Sequence, residues 1–259
     1  MTENITAHRK DGVLTLVIQR PPVNALDVHS VAELLAEIQS AANDAAVRCI
    51  VITGSQGVFC AGHDLNEMLT AQGQHISYRQ HLEETYNPLI LAIRQVEKPI
   101  LAAVNGPVAG AGLGIALACD LRIASTNARF TVGFTGIGMV PDSGVSLFLP
   151  LLIGLGRASE LAFTNVGLEA QQALDWGLIN RLVAPKALPQ VTARMADDLA
   201  GGPVGAFGLT KRAFNLALLS QLKLVLESEG QLQEMASHSS EHQEGVAAFL
   251  QKRLPQFLI

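Results

Sequence analysis

Three segments of the chain combine small residues with groups that can hold or move charge. The first is GVFCAGHDLNEM, residues 57–68. Its Ala61-Gly62 turn lets the backbone bend sharply, so the N–H of His63 is expected to point into a cleft. Asp64 can cap a helix that starts beside it, and an ordinary capped loop is the plain alternative. The second is VNGPVAGAGLGIALACD, residues 104–120. Gly110, Ala111, Gly112 and Gly114 let another group approach a helix N-terminus, where unpaired N–H groups and the helix dipole favour negative charge. The third is FTVGFTGIGMVPDSGVSLFLP, residues 130–150. Asp142 lies there between Pro141 and Ser143-Gly144, directly before an apolar helical run. A carboxylate in such a setting has a raised pKa and can serve as general base or acid, or can simply cap the helix.

The glycines of the second segment also invite a dinucleotide reading. Their spacing is G-x-G-x-G inside a helix start, not G-x-G-x-x-G, and no strand-terminal acidic residue follows at the needed distance. An oxyanion site ranks above a nucleotide loop, and close helix packing through glycine is compatible with either.

The elements that must position these groups read as α/β. Residues 13–18 (VLTLVI), 49–53 (CIVIT), 99–104 (PILAAV) and 121–124 are expected strands. Asp27 is expected to cap a helix through Val31, Leu34, Leu35 and Ile38. A long helical pattern covers 75–96, with a break at Pro88. Strands alternating with helices imply crossovers and a mainly parallel sheet. After Gly144 helices dominate, over 145–152, 158–164, 169–176 and from Ala187 onward, with one strand at 178–183. The last third reads as almost wholly helical. A tail this rich in leucine suits a neighbouring subunit or plain core packing.

The chain has 259 residues, of which 49% are apolar and 16% charged. It can bury a large core, and disorder is not expected. The net charge of −5 argues against nucleic acid as a partner. Cys49, Cys60 and Cys119 have no metal-ligand spacing and read as buried or incidental thiols in a reducing compartment. No signal peptide or membrane span is expected, so the expected location is cytoplasmic.

Taken together, FCAGHDL, VNGPVAGAG with CDLRIA, and F(x)10PDSG resemble the crotonase (enoyl-CoA hydratase/isomerase) superfamily. EAQQALDWGLINRLV and the terminal EHQEGVAAFLQKRLPQF resemble two further hallmarks, so the resemblance covers almost the whole chain. It implies a ββα spiral core over residues 1–200 and a helical trimerisation region over 201–259. It implies an acyl-CoA substrate, with coenzyme A as part of the substrate and no separate cofactor or metal, and a homotrimer or dimer of trimers.

By the same resemblance, the backbone N–H groups of His63 and Ala111 form an oxyanion hole for the thioester enolate. Ala61, Asp64, Leu65 and Lys252 are implied to contact CoA, with Lys211-Arg212 a second basic candidate. The His63 side chain is either packed or a tuner of pocket polarity. The two glutamates that hydratases of the family use would fall at Gly114 and Phe134, and both are absent. That departure disfavours simple hydration, because no paired carboxylate remains to activate water. Asp142 stands where isomerases of the family carry a proton-shuttling carboxylate. PDSG together with TYNPLI most resembles the isomerase acting on ring-epoxidised phenylacetyl-CoA, and next the Δ3,Δ2-enoyl-CoA isomerases. The dehalogenases of the superfamily would need a tryptophan at Phe134 and a histidine at Asn87, and neither matches. Phe134, Gly114 and Asn87 are therefore expected to line the substrate pocket. A hydratase with an atypical site and a non-catalytic acyl-CoA binder remain alternatives.

Overall fold

The computed structural model describes residues 4–70 and 77–257, with side chains at all of these except 68–70. Strands β1 (Ile5–Lys10) and β2 (Val13–Ile18) form an antiparallel hairpin. Only Ile5 of β1 is buried; the remaining residues suit a polar sheet edge. That polarity hid β1 from the sequence reading. Helix α1 (Val28–Asn43) follows, capped by Asp27, whose Oδ1 accepts from Ser30 N–H at 2.8 Å. Strand β3 (Cys49–Gly54) then pairs in parallel with β2.

Helix α2 (Leu65–Thr70) leads to the paired helices α3 (Tyr78–Glu84) and α4 (Tyr86–Gln95). The expected break falls at Thr85, whose φ of −123° and ψ of −83° leave the helical region. Pro88 sits in the first turn of α4, where a missing N–H is tolerated. The start expected at His75 lies outside the described residues, as does Ile76.

Strand β4 (Ile100–Val104) is buried throughout, as a strand covered on both faces must be. Then come β5 (Val108–Ala109), α5 (Ala111–Ala118), β6 (Leu121–Ser125) and β7 (Arg129–Thr131). Next are α6 (Val145–Ile153), α7 (Leu155–Thr164), β8 (Leu168–Glu169), α8 (Ala170–Asp175) and β9 (Arg181–Val183). The strand expected from Leu178 begins later, because the N–H groups of Leu178 and Ile179 both turn back to Ala173 O.

The main sheet has the order β1-β2-β3-β4-β6-β9, parallel beyond its first hairpin. A smaller sheet joins β5, β7 and β8. Alternation along the strands divides the core. Ile50 and Ile52 face the large cluster with α1, α4, α5 and α6, while Cys49 and Val51 face a smaller one with α9 (Leu188–Gly201). The two units expected at 1–200 and 201–259 would divide at the last residue of α9.

Helices α10 (Val204–Leu218), α11 (Leu222–Ser237) and α12 (Ser240–Leu250) complete the chain. Their inner faces pack on their own core: α11 against α3 and α6, α12 against the short 3-10 turn Thr135–Ile137. His242 pins α12 there, its ring bonded to Tyr78 Oη at 3.0 Å and Ile137 O at 2.9 Å. Among the described residues no helix is long and apolar enough to cross a membrane.

Candidate active site

The first loop is stitched to the chain around it. Leu26 N–H donates to Gly62 O at 2.7 Å, and Asp64 N–H donates to Leu26 O at 2.9 Å. This is a parallel bridge between Leu26 and His63, in which the N–H of His63 itself faces away from Leu26. It has no acceptor among the described residues. Gly62 has a φ of +93°, and a Cβ on it would lie 3.1 Å from both Ala109 O and Ala111 N. That close approach sets the His63 amide beside the first amide of α5. Ala111 N–H is likewise without an acceptor among the described residues, as the start of a helix leaves it. Two neighbouring, unpaired donors can hold an oxyanion.

Asp142 reaches the same wall through α5. Gly114 lies one turn on from Ala111, and a Cβ there would come within 2.5 Å of Ser143 Cβ and 2.6 Å of Ser143 O. The missing side chain lets the turn carrying Asp142 rest on the helix. Asp142 is buried; its Oδ1 accepts from Ser143 Oγ and its Oδ2 from Gln233 Nε2, both at 2.8 Å. Burial pushes the carboxyl up to about 7, the nearby Glu229 carboxylate adds to the rise, and the two donors oppose it.

The cap of α6 comes from elsewhere. Glu229 on α11 accepts from Gly144 N–H at 2.8 Å, from Ser146 N–H at 3.1 Å and from Ser146 Oγ. Asp142 gives that helix only its backbone carbonyl, which accepts from Val145 N–H at 3.0 Å. Its carboxyl is thus not a cap, and the plain reading of this residue is corrected.

Around the His63 side chain stand His81 and Tyr86, with Asn87 next to Tyr86 in α4. The rings of His63 and His81 meet edge to face with centroids 4.5 Å apart, and Tyr86 lies 6.1 Å and 5.9 Å from them. Burial, then the neighbouring His81, pushes His63 down to about 3, so its imidazole is neutral at ordinary pH. Burial also lowers His81. Tyr86 is fully buried, its Oη 3.5 Å from His63 Nδ1. Asn87 is buried and donates to Leu226 O at 3.4 Å; Phe134 is buried just before the Thr135–Ile137 turn.

The other expected site residues fare unevenly. Gly114 is covered by Ser143 and does not line open space, which corrects its place in the pocket. Asp64 is occupied within the loop, its carboxylate pairing with Arg20 at 2.7 Å and accepting from Asn66 N–H at 3.0 Å. Leu65 is half-buried at the start of α2, and Ala61 is exposed. Lys252 is exposed in the turn after α12. Lys211 is corrected as a CoA candidate: its ammonium is buried, donating to Ile93 O at 2.8 Å and pairing with Asp120 at 2.9 Å. Arg212 pairs with Glu97. Among the described residues no cluster of His, Cys, Asp or Glu could hold a metal.

Glu229 and Gln233 were missed in the sequence. The signal was present: Leu222, Leu226, Glu229 and Gln233 follow the spacing of the buried face of α11, and two of those positions are polar. A buried polar pair at core spacing asks for a partner, which here is the turn carrying Asp142.

The family model for enoyl-CoA hydratase/isomerase matches residues 8–258. The chain is 37% identical to the 1,2-epoxyphenylacetyl-CoA isomerase of Escherichia coli, over 99% of each. It is 38% identical to a probable enoyl-CoA hydratase of Rhodobacter capsulatus, over 95% of each. The crystal structure of an enoyl-CoA hydratase from Mycobacterium avium subsp. paratuberculosis superposes with a TM-score of 0.89 at 33% identity, over 99% of each chain.

Proposed function

The chain belongs to the enoyl-CoA hydratase/isomerase family of enzymes, and from that premise we propose that it is an acyl-CoA isomerase with Asp142 as its single acid/base. The ionised carboxylate removes a proton α or γ to the thioester. The electron pair moves through the conjugated system onto the thioester oxygen, where the N–H groups of His63 and Ala111 receive the charge. Protonated Asp142 then returns the proton at another carbon, and the double bond has moved. No water is consumed and no group leaves.

The observation that carries this reading is the inequality of the two buried carboxyls. Asp142 is held by two neutral donors and raised to about 7, a value suited to giving and taking protons near neutrality. Glu229 is tied by two amides and a hydroxyl to α6. With Gly114 packed on Ser143 and phenylalanine at 134, the pair of free carboxylates that water addition needs is missing. The resemblance to a 1,2-epoxyphenylacetyl-CoA isomerase supports rearrangement of a ring epoxide as one form of the reaction, with a shift from 3-enoyl to 2-enoyl thioester as the other. The hydratase names among the relatives favour an atypical hydratase as the second reading.

Lys252 is proposed to meet the CoA phosphates. The exposed apolar side chains of Phe214, Leu216 and Leu218 on α10, and of Leu224, Leu232 and Met235 on α11, support a homotrimer or dimer of trimers. Incubation with 3-hexenoyl-CoA, crotonyl-CoA and 1,2-epoxyphenylacetyl-CoA, followed by NMR, tests the reaction class. A migrated double bond or rearranged ring supports isomerisation; 3-hydroxybutyryl-CoA as the main product favours the hydratase.

A further inference from the structure

Among the described residues, six buried side-chain nitrogen or oxygen atoms lack a hydrogen-bond partner. Two of them belong to one pair of touching rings, Nε2 of His63 and Nε2 of His81. His63 also carries one of the two unpaired amides of the oxyanion wall. A buried polar atom left unpaired is unfavourable, because it gives up its bond to water and gains none in return. A wall that met only hydrocarbon would be more stable with leucine or phenylalanine at these positions.

The two imidazoles are the sharpest case. They meet edge to face, and among the described residues neither Nε2 has a hydrogen-bond partner; a carboxylate oxygen of Glu67 lies 4.0 Å from His63 Nε2. Burial keeps both rings neutral at pH 7, so an imidazole can donate or accept according to its tautomer. Such a pair suits an uncharged oxygen, and a hydroxyl, epoxide or carbonyl oxygen can satisfy it where a methylene cannot.

We propose that His63 and His81 form a subsite for an uncharged oxygen on the acyl group, so that the enzyme selects oxygen-bearing acyl-CoA esters over plain hydrocarbon ones. This rests on the reading of the Asp142 wall as an acyl-CoA site and narrows its substrate class.

Calorimetry on the full chain tests it with esters that cannot turn over: hexanoyl-CoA and its 4-, 5- and 6-hydroxy analogues. At least one hydroxy ester is expected to bind about tenfold or more tightly than hexanoyl-CoA. His81→Phe, which keeps the ring packing and comes from a helix carrying no oxyanion amide, brings that ratio close to one. His81→Gln, which restores a donor and an acceptor, recovers part of it. His63→Phe is the second variant should His81→Phe fail to fold. A ratio near one in the wild type, or a ratio unchanged in both phenylalanine variants, overturns the subsite while leaving the acyl-CoA reading intact. Failure of every ester to bind overturns the acyl-CoA reading itself.

Discussion

Gln233 Nε2 donates to Asp142 Oδ2 at 2.8 Å and to Val140 O at 2.6 Å, so one side chain of α11 grips both the carboxyl and the turn that carries it. One turn earlier on the same helix, Glu229 grips the other side of that turn through Gly144 and Ser146. The two act on Asp142 in opposite senses: the Gln233 donor favours the carboxylate, and the Glu229 charge disfavours it. Gln233→Leu therefore raises the pKa of Asp142, and Glu229→Gln lowers it. In the pH dependence of kcat/KM, the rise from the acid side moves to higher pH in the first variant and to lower pH in the second. Shifts in the same direction would contradict the arrangement.

Asp142 also links stability to pH. Its folded pKa of about 7 lies above the unfolded value of about 3.9, so the native state holds the extra proton between them. This contribution is fully present below the unfolded pKa and is lost as pH rises through 7. Asp142→Asn, neutral at every pH, is expected to be more stable than the wild type at pH 8, by an amount on the order of 1–3 kcal/mol, and to show a higher Tm there. Near pH 4 the difference vanishes. Thermal melts of the two proteins across that range check both ends.

The pair of amides depends on a residue without a side chain. Gly62→Ala forces a Cβ to within 3.1 Å of Ala109 O and Ala111 N at a φ of +93°. The His63 and Ala111 donors are pushed apart, and kcat is expected to fall by about 100-fold. Gly57→Ala is the control: its φ of +75° imposes similar backbone strain, but its Cβ meets nothing within 4 Å. Steady-state kinetics should separate the two, with Gly57→Ala losing far less of kcat.

Restoring a hydratase glutamate at 114 does not restore hydration. The Cβ alone would strike Ser143 Cβ at 2.5 Å and Ser143 O at 2.6 Å, so Gly114→Glu displaces the turn that holds Asp142. The expected outcome is loss of isomerisation with no gain of 3-hydroxyacyl-CoA from crotonyl-CoA, read by NMR. A gain of hydrated product would show that the turn yields.

Much of this site was legible in the sequence because it is built from backbone. Gly62, Ala111 and the turn after Pro141 announce themselves by their smallness and order. The central strands were legible for a related reason: residues 49–53 and 99–104 are buried on both faces, so their apolar runs are unbroken. Strand β1 was not, because an exposed edge leaves its polar residues unconstrained. Glu229 and Gln233 escaped because their partner lies 85 to 91 residues earlier in the chain, beyond five helices, and a polar residue on a leucine-rich helix reads locally as surface. His81 escaped for the same reason, as its neighbours His63 and Tyr86 come from separate elements. Long-range contacts of this kind follow from packing, and periodicity along one helix does not reveal them.

The central claim is that Asp142 alone carries the proton. The most direct test is turnover of 3-hexenoyl-CoA in deuterated water by wild type and Asp142→Asn, followed by NMR. The wild type is expected to form 2-hexenoyl-CoA, with the hydrogen removed from the α carbon delivered to the γ carbon, or deuterium there to the extent that protonated Asp142 exchanges before returning it. Asp142→Asn is expected to lose at least about 1,000-fold in kcat while still binding the ester. Comparable turnover by the variant, or hydrated product from the wild type at a rate that ignores the substitution, would contradict the account.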